Sequence, residues 1–408
     1  MIQRISRSVG RVNGWNTMTA LFSPLDIGPL TLANRIVVAP MCQYSAVDGL
    51  PQPFHVQHLG RLALSGAGLL IIEATAVTPD GRISWADLGL WSEAHELALS
   101  RLVADIRTYS SIPIGIQLGH AGRKASTNPP WIERGGPAPP SRAWVTVSAS
   151  NKPFADTWPA PRALDEDGLR HVIESFAAAA RRADRAGFDV LELHAAHGYL
   201  LSQFLSPLVN QRDDRFGGSL ENRMRFPLMV ADAVRNAWPI RKALGVRFNG
   251  TDWLDGGISV EEAALFGQCM HEAGFDYLHV SSGGNDPNVR IPGATPGYQV
   301  PLAETVKRKS PEAKVLAVGM IVDPHHAQDI VQSGAADAVG IGRAMLDDVN
   351  WPHHAAMTLG GVAELPPQYA RVASNAWPGY DAARLAGTHL SSASIATSEG
   401  LERDRGDH

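Results

Sequence analysis

A short sequence pattern recurs four times along the chain and constrains its fold more than any other feature. In each copy a helix-like stretch ends in a glycine, and an apolar run begins two or three residues later. The four copies lie at residues 65–73, 186–194, 273–281 and 333–340. A glycine in this position can take the left-handed conformation that ends many helices. An apolar run of this length is typical of a buried strand. The pattern therefore predicts helix, short loop and strand in four successive units.

Four further short apolar runs complete the series, at residues 35–40, 113–118, 245–249 and 314–319. Between the runs lie stretches with apolar residues at helical spacing, such as 169–183 and 224–238. Eight strands alternating with helices predict an α/β fold, a (β/α)₈ TIM barrel. A doubly wound sheet is disfavoured because no Gly-x-Gly-x-x-Gly motif opens a helix. The segment from Gly340 to Met345 lacks the third glycine.

Three regions are predicted to fall outside the regular barrel, which we expect to span residues 21–371. Residues 119–164 contain many of the prolines and tryptophans without a clear period, which predicts a long capping insertion after strand three. Residues 1–20 are predicted to be a disordered N-terminal extension. They contain several arginines and serines but no acidic residue, a composition that transit peptides also have. Residues 372–408 are predicted to be a disordered polar tail.

The composition excludes several classes of protein. With 44% hydrophobic residues, 19% charged residues and a net charge of −5, the chain has the composition of an ordinary soluble protein. No basic run indicates nucleic acid, and no apolar stretch reaches the roughly 18 residues of a membrane helix. The two cysteines, Cys42 and Cys269, are too few for a disulfide framework or an iron–sulfur cluster. They predict a reduced, cytoplasmic protein.

The strongest candidates for chemistry follow the fourth strand, in the segment 189–200. Ligands bind at the carboxyl ends of barrel strands, and His194, His197 and Tyr199 lie there. A zinc site is disfavoured because the spacing is not His-Glu-x-x-His and no third ligand is near. Two core histidines and a tyrosine at one strand end would be unusual. Two imidazole N–H groups could instead stabilise an oxyanion, and Tyr199 could supply a proton.

Other predicted strand ends carry further candidate site residues. Cys42 and Tyr44 follow strand one, Ala74 and Thr75 follow strand two, and Gln117 ends strand three. Arg247 lies on strand five, Gly319 ends strand seven, and Gly342 and Arg343 end strand eight. The glycines at strands seven and eight indicate either tight turns or a phosphate site, and Arg343 favours the phosphate. A buried Arg247 needs a partner. That partner could be Glu73 or Glu192 in a salt bridge, or an electron-rich atom of a cofactor. The position of Arg247 within an apolar strand does not decide between these two interpretations.

These residues resemble the Old Yellow Enzyme family of FMN-dependent ene-reductases. The resemblance runs from about Leu21 to Arg371, through segments 21–25, 34–36, 39–44, 117–124, 194–199 and 210–223. The last segment is the most specific, and within it Ser219 is expected to cap a helix. Cys42 together with Tyr44 is similar to the thermophilic-like subgroup, the NADPH dehydrogenases.

The resemblance implies a role for each matching residue. The residues implied to contact FMN are Pro40, Met41, Cys42, Ala74, Gln117, Arg247, Val318, Gly319, Gly342 and Arg343. Cys42 would tune the flavin potential, Gln117 and Arg247 would bind its pyrimidine edge, and the last four would hold its phosphate. His194 and His197 would bind a substrate carbonyl oxygen, Tyr199 would donate a proton, and Tyr44 would line the pocket. Arg371 would reach into the site of a neighbouring subunit in a homodimer or homotetramer.

The implied activity is reduction of the activated C=C bond of small α,β-unsaturated carbonyl compounds, with NADPH or NADH as reductant of FMN. No metal, nucleic acid or membrane partner is implied. A relative with an iron–sulfur cluster is disfavoured by the two cysteines. The remaining alternatives are a xenobiotic or nitro-compound reductase on the same barrel, and a non-catalytic flavin binder or scaffold.

Overall fold

A computed structural model of the chain describes residues 19–292, 295–360, 365–372, 376–380 and 382. The disorder predicted for residues 1–20 and 372–408 concerns mainly residues outside this described part. Residues up to 360 belong to one compact unit that contains the barrel. Residues from 365 onward belong to a second unit, in which the 3₁₀ helix Pro367–Val372 carries an exposed Arg371.

The first unit contains a closed barrel of eight parallel strands, as the sequence predicts. In chain order the barrel strands, numbered one to eight, are Ile36–Val38, Leu69–Ala76, Ile114–Gly119, Val190–Ala195, Ala243–Asn249, Tyr277–Ser281, Lys314–Val318 and Ala338–Ile341. Strand eight pairs with strand one through Val339 and Ile36, which closes the ring. The carboxyl ends of all eight strands therefore meet at one rim.

A helix follows every barrel strand. The helices after strands one to eight are Pro53–Leu62, Glu93–Arg107, Glu166–Arg185, Leu220–Ala237, Val260–Glu272, Val300–Lys309, Pro324–Gln332 and Trp351–Thr358. Two short helices, Leu200–Leu205 and Arg343–Asp347, lie directly at the ends of strands four and eight. None of the helices in the described part of the chain has both the length and the apolar character that crossing a bilayer requires.

The helix Glu166–Arg185 shows why these segments fold as they do. Asp165 caps it by accepting a hydrogen bond from the Gly168 N–H group at 2.8 Å. Phe176 and the other apolar residues of its predicted stripe pack in the core between helices and strands. Each fully buried side chain of this kind stabilises the fold by about 1.5–3 kcal/mol. The predicted cap at Ser219 is confirmed as well, because its hydroxyl accepts the Asn222 N–H group at 3.3 Å.

The amino end of the barrel is closed by an antiparallel hairpin, Leu25–Ile27 with Leu30–Leu32. Its buried side chains pack in one cluster with those inside the barrel, such as Tyr277 and Leu316. The interior is therefore a packed core at this end, and a ligand can enter only at the opposite rim.

The predicted insertion after strand three covers part of that rim. It contains the 3₁₀ helices Gly122–Lys124 and Glu133–Gly135 and a strand pair, Val147–Ser148 with Arg162–Ala163. Its Trp144 indole N–H donates to the Asp80 carbonyl in the loop after strand two, at 2.9 Å. Its Trp131 lies edge-on to Tyr44, with ring centroids 6.0 Å apart. The insertion thus packs over the loops that follow strands one and two.

Candidate active site

Three rings meet at the end of strand four. The His194 and His197 ring centroids are 5.1 Å apart, and those of His194 and Tyr199 are 5.0 Å apart. The chain turns sharply between them, because His197 and Gly198 both have left-handed backbones, with φ of 60° and 72°. Tyr199 then begins the helix Leu200–Leu205 as its N-cap. The structure therefore brings together the three residues predicted to form the catalytic centre.

Both histidines are neutral near pH 7. Burial lowers the pKa of His194 to about 3, and burial together with Arg247 holds the pKa of His197 well below its usual value. His194 accepts the Ala196 N–H group at its Nδ1 atom, at 3.2 Å, so its proton resides on Nε2. His197 Nε2 lies 2.7 Å from the Ser281 hydroxyl, which can donate to it and leave the Nδ1 proton for a ligand. Each ring can thus donate one N–H group to an oxygen atom.

Tyr199 keeps its proton near neutral pH, because burial raises its pKa well above the usual value. The Lys124 ammonium lies 5.2 Å from the centroid of the tyrosine ring. That ammonium also donates to the carbonyls of His197, at 2.8 Å, and of Gly284, at 3.1 Å. Burial lowers the pKa of Lys124 to about 8. The lysine therefore holds the turn between the histidines and faces the ring of the predicted proton donor.

Arg247 points into the barrel without a protein partner. It is 8% exposed, and no hydrogen bond or salt bridge to its guanidinium exists within the described residues. Its Nε atom is buried and unpaired. Among the described residues no salt bridge joins Arg247 to Glu73 or Glu192, the two partners that the sequence left open, although the Arg247 charge still helps to lower the pKa of Glu192. The buried, unpaired guanidinium instead fits an electron-rich ligand atom.

Glu192 lies at the centre of a hydrogen-bond network inside the barrel. Its carboxylate accepts from Gln117 Nε2 at 2.7 Å, His279 Nδ1 at 2.8 Å and the Tyr277 hydroxyl at 3.2 Å. Burial alone would raise the pKa of Glu192, but His279 and Arg247 together hold it below the usual value. Because a carboxylate only accepts, Gln117 must turn its NH₂ group toward Glu192. The amide oxygen of Gln117 then remains for a ligand.

The loop after strand one holds Cys42 and Tyr44. The two side chains lie close together, since Cys42 adds to the rise that burial causes in the pKa of Tyr44. The Gln43 N–H group between them donates to Glu73 at 3.0 Å, and Glu73 lies 3.3 Å from the buried His55. Burial raises the pKa of both the Cys42 thiol and the Tyr44 hydroxyl. Both groups are therefore neutral hydrogen-bonding groups near pH 7.

The residues predicted to hold a phosphate lie together at the ends of strands seven and eight, which pair directly. Gly319 has a φ of 119°, and a Cβ atom there would lie 2.4 Å from Gln299 Nε2. This position therefore requires glycine. Arg343 is exposed and has no hydrogen-bond or ion-pair partner in the described part of the chain. Backbone N–H groups and a free cation are available here for an anion.

The rim also contains residues that the sequence analysis missed, mainly at strand six. Ser281 bonds to His197, and Ser282 bonds to Gln299 at 2.5 Å. Asn249, at the end of strand five, accepts the His197 N–H group at 3.0 Å. A usable signal was present, because Ser281-Ser282-Gly-Gly directly follows the apolar run of strand six. The remaining predicted residues Pro40, Met41, Ala74 and Val318 lie at strand ends one, two and seven.

Comparisons with known proteins find relatives over most of the chain. A model of the NADH:flavin oxidoreductase / NADH oxidase family matches residues 20–360. The NADPH dehydrogenase of Geobacillus thermodenitrificans (strain NG80-2) is 41% identical over 355 residues, which are 86% of this chain and 98% of that protein. The NADPH dehydrogenase of Bacillus subtilis (strain 168) is 41% identical over 356 residues, with the same shares of 86% and 98%.

Among solved structures, morphinone reductase in complex with tetrahydroNAD is similar with a TM-score of 0.68 and 29% identity. The match covers 85% of this chain and 93% of that one. Sequence family, relatives and fold all lead to the same assignment. The chain therefore belongs to the NADH:flavin oxidoreductase / NADH oxidase family, as its resemblance to Old Yellow Enzymes predicts.

Proposed function

We propose that the protein reduces the activated C=C bond of small α,β-unsaturated carbonyl compounds at the end of strand four. It is an FMN-dependent oxidoreductase with NADPH or NADH as reductant. The observation that carries the substrate assignment is the cluster of two neutral imidazoles and a protonated phenol. Such a set fits a carbonyl oxygen that gains negative charge and a carbon that gains a proton.

The residues present fit FMN. The unpaired Arg247 guanidinium and the free amide oxygen of Gln117 match the acceptors and the N–H donor of a flavin pyrimidine ring. Gly319 and Arg343, with Val318 and Gly342, would hold the phosphate. Cys42 would contact the ring as a neutral thiol, beside Pro40, Met41 and Ala74. When bound, FMN takes a hydride from NAD(P)H and delivers it to the substrate.

The substrate-binding groups would act as follows. His194 and His197 would donate their N–H groups to the carbonyl oxygen, and these bonds strengthen as that oxygen becomes an enolate. One well-placed donor of this kind lowers a barrier by about 2.7–4 kcal/mol. Tyr199 would give its phenolic proton to the α-carbon. Tyr44 would line the pocket, where its ring already contacts Trp131 of the insertion.

We further propose a cytoplasmic homodimer or homotetramer in which Arg371 acts on the site of a neighbouring subunit. Two observations support these proposals. Both cysteines are free thiols, which suits a reducing compartment. Arg371 is exposed and belongs to a unit separate from its own barrel.

Binding of a phenolic ligand tests the substrate site without turnover. Phenolates are expected to bind the two imidazoles as the enolate oxygen does, and to change the flavin spectrum. The double variant His194→Ala/His197→Ala should retain FMN but lose about 3–6 kcal/mol of phenol binding, at 1.5–3 kcal/mol for each lost charged hydrogen bond, which weakens the affinity by about 150-fold or more. His325 and His326 are an adjacent pair in the helix Pro324–Gln332, away from strand four. The double variant His325→Ala/His326→Ala is the matched control.

A yellow protein that oxidises NADPH with cyclohexenone, and loses this reaction in Tyr199→Phe, would support the full proposal. Unchanged phenol affinity in the histidine double variant would remove both rings from the substrate site. A colourless protein that does not take up FMN would contradict the cofactor assignment.

A further inference from the structure

A small recess of about 10 Å³, about the size of one water molecule, lies beside the His194 and Tyr199 rings, toward strands two and three. Its polar lining comes from Thr75, Arg82, Asp87, His120, His194 and Tyr199. Four of these residues, Thr75, Arg82, Asp87 and His120, have no part in the function proposed above. The recess places the predicted proton donor in the same space as these four residues.

Asp87 is a buried acid without a cation partner. It is 1% exposed, and its carboxyl group accepts only the Ser84 N–H group, at 2.8 Å, and the Ser84 hydroxyl, at 3.0 Å. The half-buried Arg82 donates instead to the carbonyls of Pro79 and Trp85. No salt bridge to Asp87 exists among the residues that the structure describes. A buried carboxylate without a cation is costly, so burial raises the pKa of Asp87 to about 7.

Tyr199 needs a source of protons. In the proposed reaction it loses its proton once in every turnover and must regain one before the next. Its hydroxyl has no hydrogen-bond partner within the described residues, and the side chain is half-buried. Tyr199 and Asp87, an acid of near-neutral pKa, both line the recess.

We propose that Asp87 is the proton reservoir that recharges Tyr199 through water in this recess. The tyrosinate oxygen takes a proton from a water molecule, and that water takes the proton of the Asp87 carboxyl group. Asp87 then regains a proton from solvent at the side of Arg82. One solvent proton is consumed per turnover, and no bond other than O–H bonds breaks in the transfer. This inference rests on the proposed role of Tyr199.

Asp87 is the recess group that changes charge near pH 7. The charged or titratable groups that interact with it are Glu73, Arg82, Cys42, Tyr44 and Tyr199. Burial raises the pKa values of Cys42, Tyr44 and Tyr199, which keeps them protonated. His120 also lines the recess, and burial lowers its pKa to about 4, so it is neutral at pH 7. Raising the pH through about 7 therefore deprotonates Asp87, while these neighbours keep their protonation states.

The test separates the first turnover from later ones in Asp87→Asn, which preserves the size of the side chain. Enzyme with reduced FMN and protonated Tyr199 should complete one turnover with cyclohexenone at the wild-type rate. Later turnovers should slow by about 100-fold, the low end for a general acid. Added acetic acid should restore the rate. The wild-type turnover rate should fall as the pH rises through about 7. The pH–rate profile of Asp87→Asn should lack this fall.

Asp80→Asn is the matched control, because this residue lies in the same loop but does not line the recess. This variant should leave the rates of the first turnover and of the later turnovers unchanged. Infrared titration of the wild-type apoprotein gives an independent measurement, since a buried carboxyl band should disappear near pH 7. That measurement remains decisive if Asp87→Asn does not fold.

Repeated turnover at the wild-type rate in Asp87→Asn, or no titrating carboxyl band in the wild type, would overturn the proposal. Loss of the first turnover in Asp87→Asn would also overturn it, because a reservoir acts only afterwards. Tyr199→Phe distinguishes failure of the proposed role of Asp87 from failure of the proposed role of Tyr199. If that variant still completes a first turnover at the normal rate, the proposed role of Tyr199 itself fails.

Discussion

Replacing Arg247 by methionine is expected to stabilise the apoprotein while weakening FMN binding. In the absence of a ligand this cation is buried and unpaired. Burial lowers its pKa, which means that folding disfavours its charged form even beside Glu192. A methionine of similar length removes this cost, and Glu192 keeps its bonds to Gln117, Tyr277 and His279. Neutral replacement of buried charges stabilises proteins by about 1–4 kcal/mol, and we expect a gain in that range.

The stabilisation that FMN adds should change in the opposite direction. A charged hydrogen bond contributes about 1.5–3 kcal/mol, so its loss raises the Kd for FMN by about 10- to 150-fold. At an FMN concentration of about 1,000 times the wild-type Kd, the cofactor adds about 4.1 kcal/mol to the free energy of unfolding. With a Kd raised 100-fold, the same concentration adds only about 1.4 kcal/mol. Urea unfolding with and without FMN measures both quantities.

Arg223 provides the matched control. It is 4% exposed, like Arg247, but its guanidinium bonds to Glu262 at 2.6 Å and to the Leu205 carbonyl. Arg223→Met should therefore destabilise apoprotein and holoprotein equally, by about 3 kcal/mol. If Arg247→Met destabilises the apoprotein as Arg223→Met does, the guanidinium has a protein partner in solution. The argument that FMN completes the site would then be refuted.

Three further substitutions test the fold and the phosphate site by urea unfolding or FMN titration. Phe176→Ala removes a fully buried ring and should cost about 3–5 kcal/mol; a loss below 1 kcal/mol would contradict its core position. Ser219→Ala removes a helix cap and should cost about 1 kcal/mol, whereas Ser219→Gly should cost only a few tenths. Gly319→Ala should cost about 1–3 kcal/mol because of its backbone strain and should weaken FMN binding; unchanged FMN affinity would separate this glycine from the phosphate.

The barrel was predictable because its signals are local. Each glycine before an apolar run marks the end of a helix, and each run is a strand within two residues of its predicted bounds, except that strand two continues three residues beyond its predicted end, to Ala76. The hairpin at Leu25–Leu32 also carries a local signal, the alternation around Gly28-Pro29, which the analysis did not use. Its position as a plug depends on contacts with distant strands, which no local pattern contains.

Strand periodicity places His194 inside the barrel, whereas His197 and Tyr199 lie beyond strand four and are brought to it by the left-handed turn at His197 and Gly198. Periodicity also fixes which other side chains share the interior face. Glu192 and His194 are two residues apart, as are Arg247 and Asn249, and all four lie on the rim side of the interior. The partner of Arg247 was not predictable in this way. Strand pairing aligns it with His194 and His279, so the choice between a carboxylate and a cofactor depends on register and on side-chain direction. Lys124 ends a three-residue 3₁₀ helix and Asp87 lies in a loop, so neither belongs to an element long enough for a periodic pattern.

The distribution of charge across the site explains why neutral groups serve the substrate and cations serve the cofactor. In the proposed reaction, neutral His194 and His197 would bind a ketone oxygen weakly and an enolate oxygen strongly, so their contribution would be concentrated in the transition state. A permanent cation in their place would hold anions in the ground state as well. Arg247 and Arg343, in contrast, would face a permanent dipole or a phosphate charge throughout the proposed cycle. The same burial that keeps the imidazoles neutral leaves Arg247 uncompensated, and this links cofactor binding to the free energy of unfolding.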